Sequence, residues 1–217
     1  MPEAKIGTFS TVRRGPIPVP GFPSPDYVRV PRLRPRPRLE EPVQMPTIGP
    51  LIADSAQLGL AYAERLFQNV SPERFARFAR VGDQIVEANH PAFLLGHLSL
   101  YPSRVLSQLG QDAGVIEPTE RENELFSKDA RCLDDPDGSI YPAAEEIRER
   151  FLTAYRAAAE AVASTDDIVF TSPNPNQAMR TRFPTLGSMH AFYLGGHLML
   201  HLGQFSTWRR VWGLPPA

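Results

Sequence analysis

The chain has 217 residues, 22% of them charged and 42% hydrophobic, with a formal net charge of −1. Those values suit a folded domain with a real core and supply no excess charge to hold nucleic acid or an anionic membrane surface. One cysteine, Cys132, excludes an intramolecular disulfide framework and suits a reducing compartment. From the N-terminus the chain first passes through GPIPVPGFPSPDYVRVPRLRPRPRLEEP, too dense in proline for any helical period. Residues 1–47 therefore read as a separate proline- and arginine-rich segment, either a basic tail or an extended arm. Val19, Phe22, Tyr27, Val28, Val30 and Leu33 are apolar anchors that favour the arm. No signal peptide is readable, because prolines stand where its apolar stretch would have to be, and no uninterrupted apolar run is long enough to span a bilayer. A cytoplasmic protein is expected.

Residues 48–217 read as one helical domain. The first helix is expected over about Gly49–Asn69, with Leu58, Leu60, Ala61, Leu66 and Phe67 on its apolar side. Ser71 and Pro72 then cap and open a short helix, PERFARFARV. A third helix is capped by Asn89, carries Pro91 in its first turn and runs to about Leu109, with a kink at Pro102. The segment between Gln111 and Tyr141 is long for a passive connection, and Cys132 within it has no histidine neighbour to activate it. Pro142–Ala163 is rich in helix formers and has acids in its first turn. The last helix is expected from Thr185 to Trp212, ending before Gly213 and Pro215. No alternating strand pattern is read, so the fold class is all-α, a four-helix bundle with one extra short helix and the N-terminal arm.

The last helix carries GHLMLHLGQ, two histidines four residues apart among leucines. At about 100° per residue, His201, Gln204, Trp208, Tyr193 and His190 fall within roughly 40° of His197. Leu194, Leu198 and Phe205 flank this stripe on one side and Leu200 and Val211 on the other, placing the imidazoles along the centre of an apolar face. On the third helix His97 shares a stripe with His90, Phe93, Tyr101, Arg104 and Gln108. A buried imidazole without a partner costs a few kcal/mol. Facing stripes in a bundle can bring His97, His197 and His201 onto one ion, and three protein ligands leave positions open for water or substrate. The bland alternative is a set of packed core histidines. Gly195 and Gly203 fall opposite His197 with Phe192, Met199, Leu202 and Ser206, a small apolar face that expects a second subunit or the arm. Gly187 and Gly196 lie to the side, where a neighbouring helix could approach.

NHPAFLLGHL, followed about a hundred residues later by GHLMLHLGQFSTWRRVWGLPP, resembles the DinB-like superfamily of four-helix metalloproteins. The resemblance covers residues 48–217 and implies a divalent metal held by His97, His197 and His201, with water completing the sphere. It implies homodimers and, for members with known activity, transferases and isomerases that use a low-molecular-weight thiol. The 111–141 segment and the arm depart from that pattern. A divalent ion lowers the pKa of a bound water or thiol, which makes sense of such chemistry. Three imidazoles suit zinc, nickel, iron or copper, and zinc or nickel is the expected ion. Arg104 is a candidate to hold a carboxylate of the thiol or of a small-molecule substrate, or else a surface cap. Tyr101 is a candidate donor to a developing anion, or a core tyrosine. Gln204 is a candidate partner for a ligand histidine. His190 is a possible fourth ligand or a polar residue near the helix start, His90 reads as structural, and Trp208 as core or pocket wall. The competing functions are metal-assisted hydrolysis, for which neither stripe offers an acid as base, and a non-catalytic metal-binding or interaction protein.

Overall fold

The computed structural model describes residues 47–217; the remainder of the expected N-terminal arm lies outside them. These residues are mostly helical, an all-α fold with one small hairpin. Helix α1, Ile48–Phe67, starts where the Ile48 N–H donates to the Asp167 carboxylate at 2.8 Å. It buries Ile52, Ala53, Ala56, Leu60, Ala63 and Leu66, a stripe at three- and four-residue spacing. The expected apolar side is corrected here: Leu58 is 65% exposed and Ala61 also faces out. Small residues, Ala53, Ala56, Gly59 and Ala63, alternate with large ones along the seam. At Gly59 a side chain would overlap Leu198 of the last helix, so close approach of two backbones decides the face.

The short helix expected over Pro72–Val81 is cut to one turn, α2, Pro72–Phe75. Strands β1, Ala79–Val81, and β2, Gln84–Val86, follow as an antiparallel hairpin pairing Ala79 with Val86 and Val81 with Gln84. This overturns the expectation of no strands. Gly82 supplies the positive φ of 59° that the two-residue turn needs, and β-branched Val81, Ile85 and Val86 suit a pleated strand.

The single kinked helix expected from Asn89 to Leu109 is two helices, α3, Pro91–Ser99, and α4, Pro102–Gln108. Pro102 has no N–H to continue the ladder, so it opens a new helix rather than bending the old one. The cap is His90, not Asn89: its Nδ1 accepts from the Phe93 N–H at 3.2 Å. Within the long connection, Thr119 and Glu122 form a capping box that opens α5, Glu120–Phe126. Farther on, the Asp135 carboxylate gathers the N–H groups of Ser139, Ile140 and Tyr141 at 2.9–3.1 Å.

Helix α6, Ala144–Ala163, lies close to its expected bounds. A further short helix, α7, Asp167–Thr171, was not legible in the sequence pattern. The last helical run has three parts: α8, Leu186–Ala191, a π-helical turn over Phe192–Gly196, and α9, His197–Val211. Helix α1 packs on α6 and α9, and α3 packs on the same two. Arg209 ties this arrangement together from the inside. Only 2% exposed, its guanidinium donates to the Leu66 and Pro215 carbonyls at 2.7 and 2.8 Å and also to that of Gln68. It thereby serves the orphan carbonyls at the C-terminus of α1. Among the described residues no helix is long and apolar enough to cross a membrane.

Candidate metal centre

The buried face of α9 comprises Leu198, Leu202, Phe205, Trp208 and Arg209, which spans one side of the wheel from His197. Leu200 is 57% exposed, Gln204 is exposed and Val211 is half-buried. The imidazoles of His197 and His201 therefore stand at the edge of the apolar face and not along its centre. The wheel placed Leu202 on the opposite side, yet it is fully buried, because the core lies on the Phe205 side of the histidines. The π turn before His197 also breaks the uniform 100° step assumed for His190 and Tyr193.

His97 on α3 faces this edge. The three rings approach with centroids 5.3 Å apart for His97–His197, 5.0 Å for His97–His201 and 4.6 Å for His197–His201. One nitrogen from each of them can be chosen so that all three lie within 4.8 Å of one another. The Nε2 atoms of His197 and His201 are 3.0 Å apart. Two nitrogens each ~2.1 Å from a shared ion at 90–110° would be about 3.0–3.4 Å apart, so the pair is already at chelating separation. These three residues could hold a metal ion.

The distal ring nitrogens set which lone pairs face inward. His97 Nδ1 donates to the Phe126 carbonyl at 2.8 Å, and His201 Nδ1 donates to Gln204 Oε1 at 3.0 Å. A hydrogen on Nδ1 leaves Nε2 with its lone pair, which is the form a ligand histidine must take. The His197 Nδ1 is buried and has no hydrogen-bond partner among the described residues. Its ring is held instead by packing, with Tyr101 at 4.5 Å and Phe192 at 5.3 Å between centroids. Burial drives all three imidazoles below their ordinary pKa, His197 to about 3, and their mutual repulsion adds to this for His97 and His197. They are neutral donors at pH 7. Among the described residues, no carboxylate or cysteine joins the cluster.

Tyr101 borders the site, its hydroxyl 3.4 Å from His97 Nε2 and its ring 5.0 Å from Tyr193. Burial raises its pKa above the ordinary value, so it remains a proton donor. Arg104 is exposed and lies over the Tyr101 ring, 5.1 Å from its centroid. His190 is not brought to the cluster. It is buried, with Nε2 bonded to Gln108 Oε1 at 2.9 Å, so it ties α8 to α4. His90 is held at the N-terminus of α3, and Trp208 is core, its Nε1 donating to the Arg77 carbonyl at 2.8 Å. Cys132 is buried, its thiol pushed up to about 11 by desolvation, which removes its reactivity at neutral pH.

Of the glycines, Gly187 does admit a neighbouring helix, as expected, and Gly195 packs within the chain rather than on a second subunit or the arm. Gly195 meets Ser55 of α1 within the same chain, where a side chain would press on the hydroxyl, whereas Gly203 has no neighbour within 4 Å among the described residues. Gly187 packs on Phe170 of α7, and Gly196 has only Phe192 near it. What the sequence reading missed at the site is α5, whose last carbonyl holds His97. The T-x-x-E pattern at Thr119–Glu122, followed by Leu125 and Phe126, is a helix-start signal that could have disclosed it. Compared with known proteins, the chain matches no family model, and no curated protein matches it significantly.

Proposed function

We propose that this chain is a divalent-metal protein of DinB-like four-helix-bundle type, acting as a transferase or isomerase on a small molecule together with a low-molecular-weight thiol. The supporting observation is the convergence of His97, His197 and His201, with two of the three Nδ1 atoms already engaged in bonds that direct Nε2 inward. The pairing of α1 and α3 with both α6 and α9 is the arrangement such a bundle requires. Zinc or nickel would suit a set of three neutral imidazoles. When bound there, the ion would lower the pKa of a thiol or water entering its open side.

The surrounding residues supply orientation and charge. His97 and His201 are fixed in the ligand tautomer by Phe126 and Gln204. Three neutral rings leave a divalent charge uncompensated, which favours an anionic thiolate as the incoming group. Arg104, beside Tyr101 at the rim, would engage a carboxylate of that thiol. The Tyr101 hydroxyl, released from His97 Nε2 once that lone pair is engaged, would donate to charge developing on the second substrate. The exposed Met199, Leu200 and open Gly203 are the apolar surface on which a homodimer would form. Thiol-dependent turnover of a small panel of electrophiles by the zinc- or nickel-loaded protein tests the reading. Turnover is expected to disappear in His201→Ala, and Arg104→Leu is expected to raise KM for thiol about tenfold or more with kcat largely kept. A nickel-loaded protein whose absorption spectrum does not respond to any thiol would contradict the reading.

A further inference from the structure

The connection from Gly110 to Tyr141 is long, and connections of that length in a folded domain usually carry a function, so α5 calls for a reason. Its last residue supplies one. At the C-terminus of a helix the final carbonyls lack intrahelical partners, and the Phe126 carbonyl is satisfied by His97 Nδ1 at 2.8 Å. With seven residues, α5 is too short to be stable on its own. It is held from both ends. At its start, the Thr119–Glu122 capping box is anchored by Arg150 of α6, whose guanidinium lies 3.0 Å from the Glu122 carboxylate. Arg150 also donates to the Ile116 and Glu117 carbonyls at 3.0 Å. At its end, the Phe126 ring is 2% exposed, stacked on Tyr141 at 5.8 Å and edge-on to Phe93 at 6.4 Å. That ring occupies the space over Gly96, where any side chain would overlap it. Gly96 immediately precedes His97, so the residue that admits the ring and the residue that receives the carbonyl are neighbours on α3.

We infer that α5 is a positioning strut for His97: the Gly96–Phe126 contact and the Arg150–Glu122 anchor together hold one backbone carbonyl where it fixes the ring tautomer and aim of a metal ligand. Phe126 and Gly96 are positioning residues that act through His97. This inference rests on the metal-centre reading for its functional meaning, but the strut itself is measurable without metal. In the metal-free protein, ring ¹⁵N NMR should report His97 with its hydrogen on Nδ1. Gly96→Ala, which displaces the Phe126 ring, should mix the two tautomers. Glu122→Gln, remote from the histidines, should do the same more weakly and covers the case in which Gly96→Ala does not fold.

With cobalt as probe, both variants should lose affinity, Gly96→Ala by about 10–100-fold, with a changed visible spectrum while His197 and His201 stay intact. An unchanged His97 tautomer and unchanged cobalt affinity in folded Gly96→Ala or Glu122→Gln would overturn the inference. If the wild-type protein binds no cobalt, the proposed function fails. The strut is then judged on the tautomer alone: mixing in the variants supports it, and an unaltered Nδ1–H form refutes it.

Discussion

Replacing His90 by asparagine is expected to remove a defined part of the acid sensitivity of the fold. The His90 ring is fully buried, its Nε2 donating to the Leu133 carbonyl at 2.8 Å and its Nδ1 accepting from the Phe93 N–H at 3.2 Å. Both ring nitrogens are therefore used by the neutral form. A second ring proton would sit on Nδ1 and confront the Phe93 N–H, donor against donor. Desolvation outweighs the pull of the Leu133 carbonyl and of Asp134 and Asp135, and the pKa falls from 6.5 to about 4. A base whose folded pKa is lowered contributes its full stability above the unfolded value and loses it as pH falls, because only the unfolded chain takes up the proton. The loss begins near 6.5, is complete near 4, and is capped at about 3 kcal/mol. Between pH 7 and pH 5 it amounts to about 2 kcal/mol. Asparagine can still cap α3 but does not titrate. In urea unfolding at the two pH values, His90→Asn should be less stable than wild type at pH 7, having lost the Leu133 bond. Its further loss on going to pH 5 should be about 2 kcal/mol smaller than that of wild type. The difference between the two proteins cancels carboxylates and the other histidines, which titrate in both. Equal losses in the two proteins would refute the reasoning.

Gln204→Leu removes the acceptor that holds His201 Nδ1 while leaving an exposed position on α9. Chelator competition should show metal affinity reduced about tenfold or more with the unfolding midpoint nearly unchanged. Arg209→Met strands the buried Leu66 carbonyl and removes the donor to the Gln68 and Pro215 carbonyls, and urea unfolding should show a loss of about 1–3 kcal/mol; a loss under about 0.5 kcal/mol would mean the guanidinium is not their essential partner. Cys132, buried and with its thiol near 11, should react with an aromatic disulfide at pH 8 at least about a hundredfold more slowly in the native protein than in urea. Comparable rates would place the thiol at the surface.

The helix α6 was legible because acids in its first turn, helix formers throughout and a regular apolar period all agree over Ala144–Ala163. The metal candidates were legible for a similar reason. An i, i+4 histidine pair among leucines and a second inward histidine survive errors of a few residues at helix ends. The placement of His197 and His201 along the centre of their face was misjudged, because Leu200 counts as apolar in a sequence yet is exposed. The hairpin was missed because ARFARV carries a helix-like spacing, and only the Gly82 turn and the strand partner beyond it decide the outcome. The π turn at Phe192–Gly196 has no period of its own in so short a stretch. Helix α5 could be suspected from its capping box, but its contact with His97 depends on residues 29 positions apart in the chain, and a local reading carries no such distance. Gly96 is the sharpest instance: within a helix it reads as a mild defect, and the Phe126 ring above it is what gives it meaning.

The most direct test is the metal content of the protein purified without an affinity tag, measured beside His97→Ala and His201→Ala variants whose fold is checked by circular dichroism. The account predicts about one divalent ion per chain in the wild type and its loss from both folded variants. Protein that carries no metal and takes up neither added zinc nor added nickel would contradict it, and would leave His97, His197 and His201 as packed polar groups of the core.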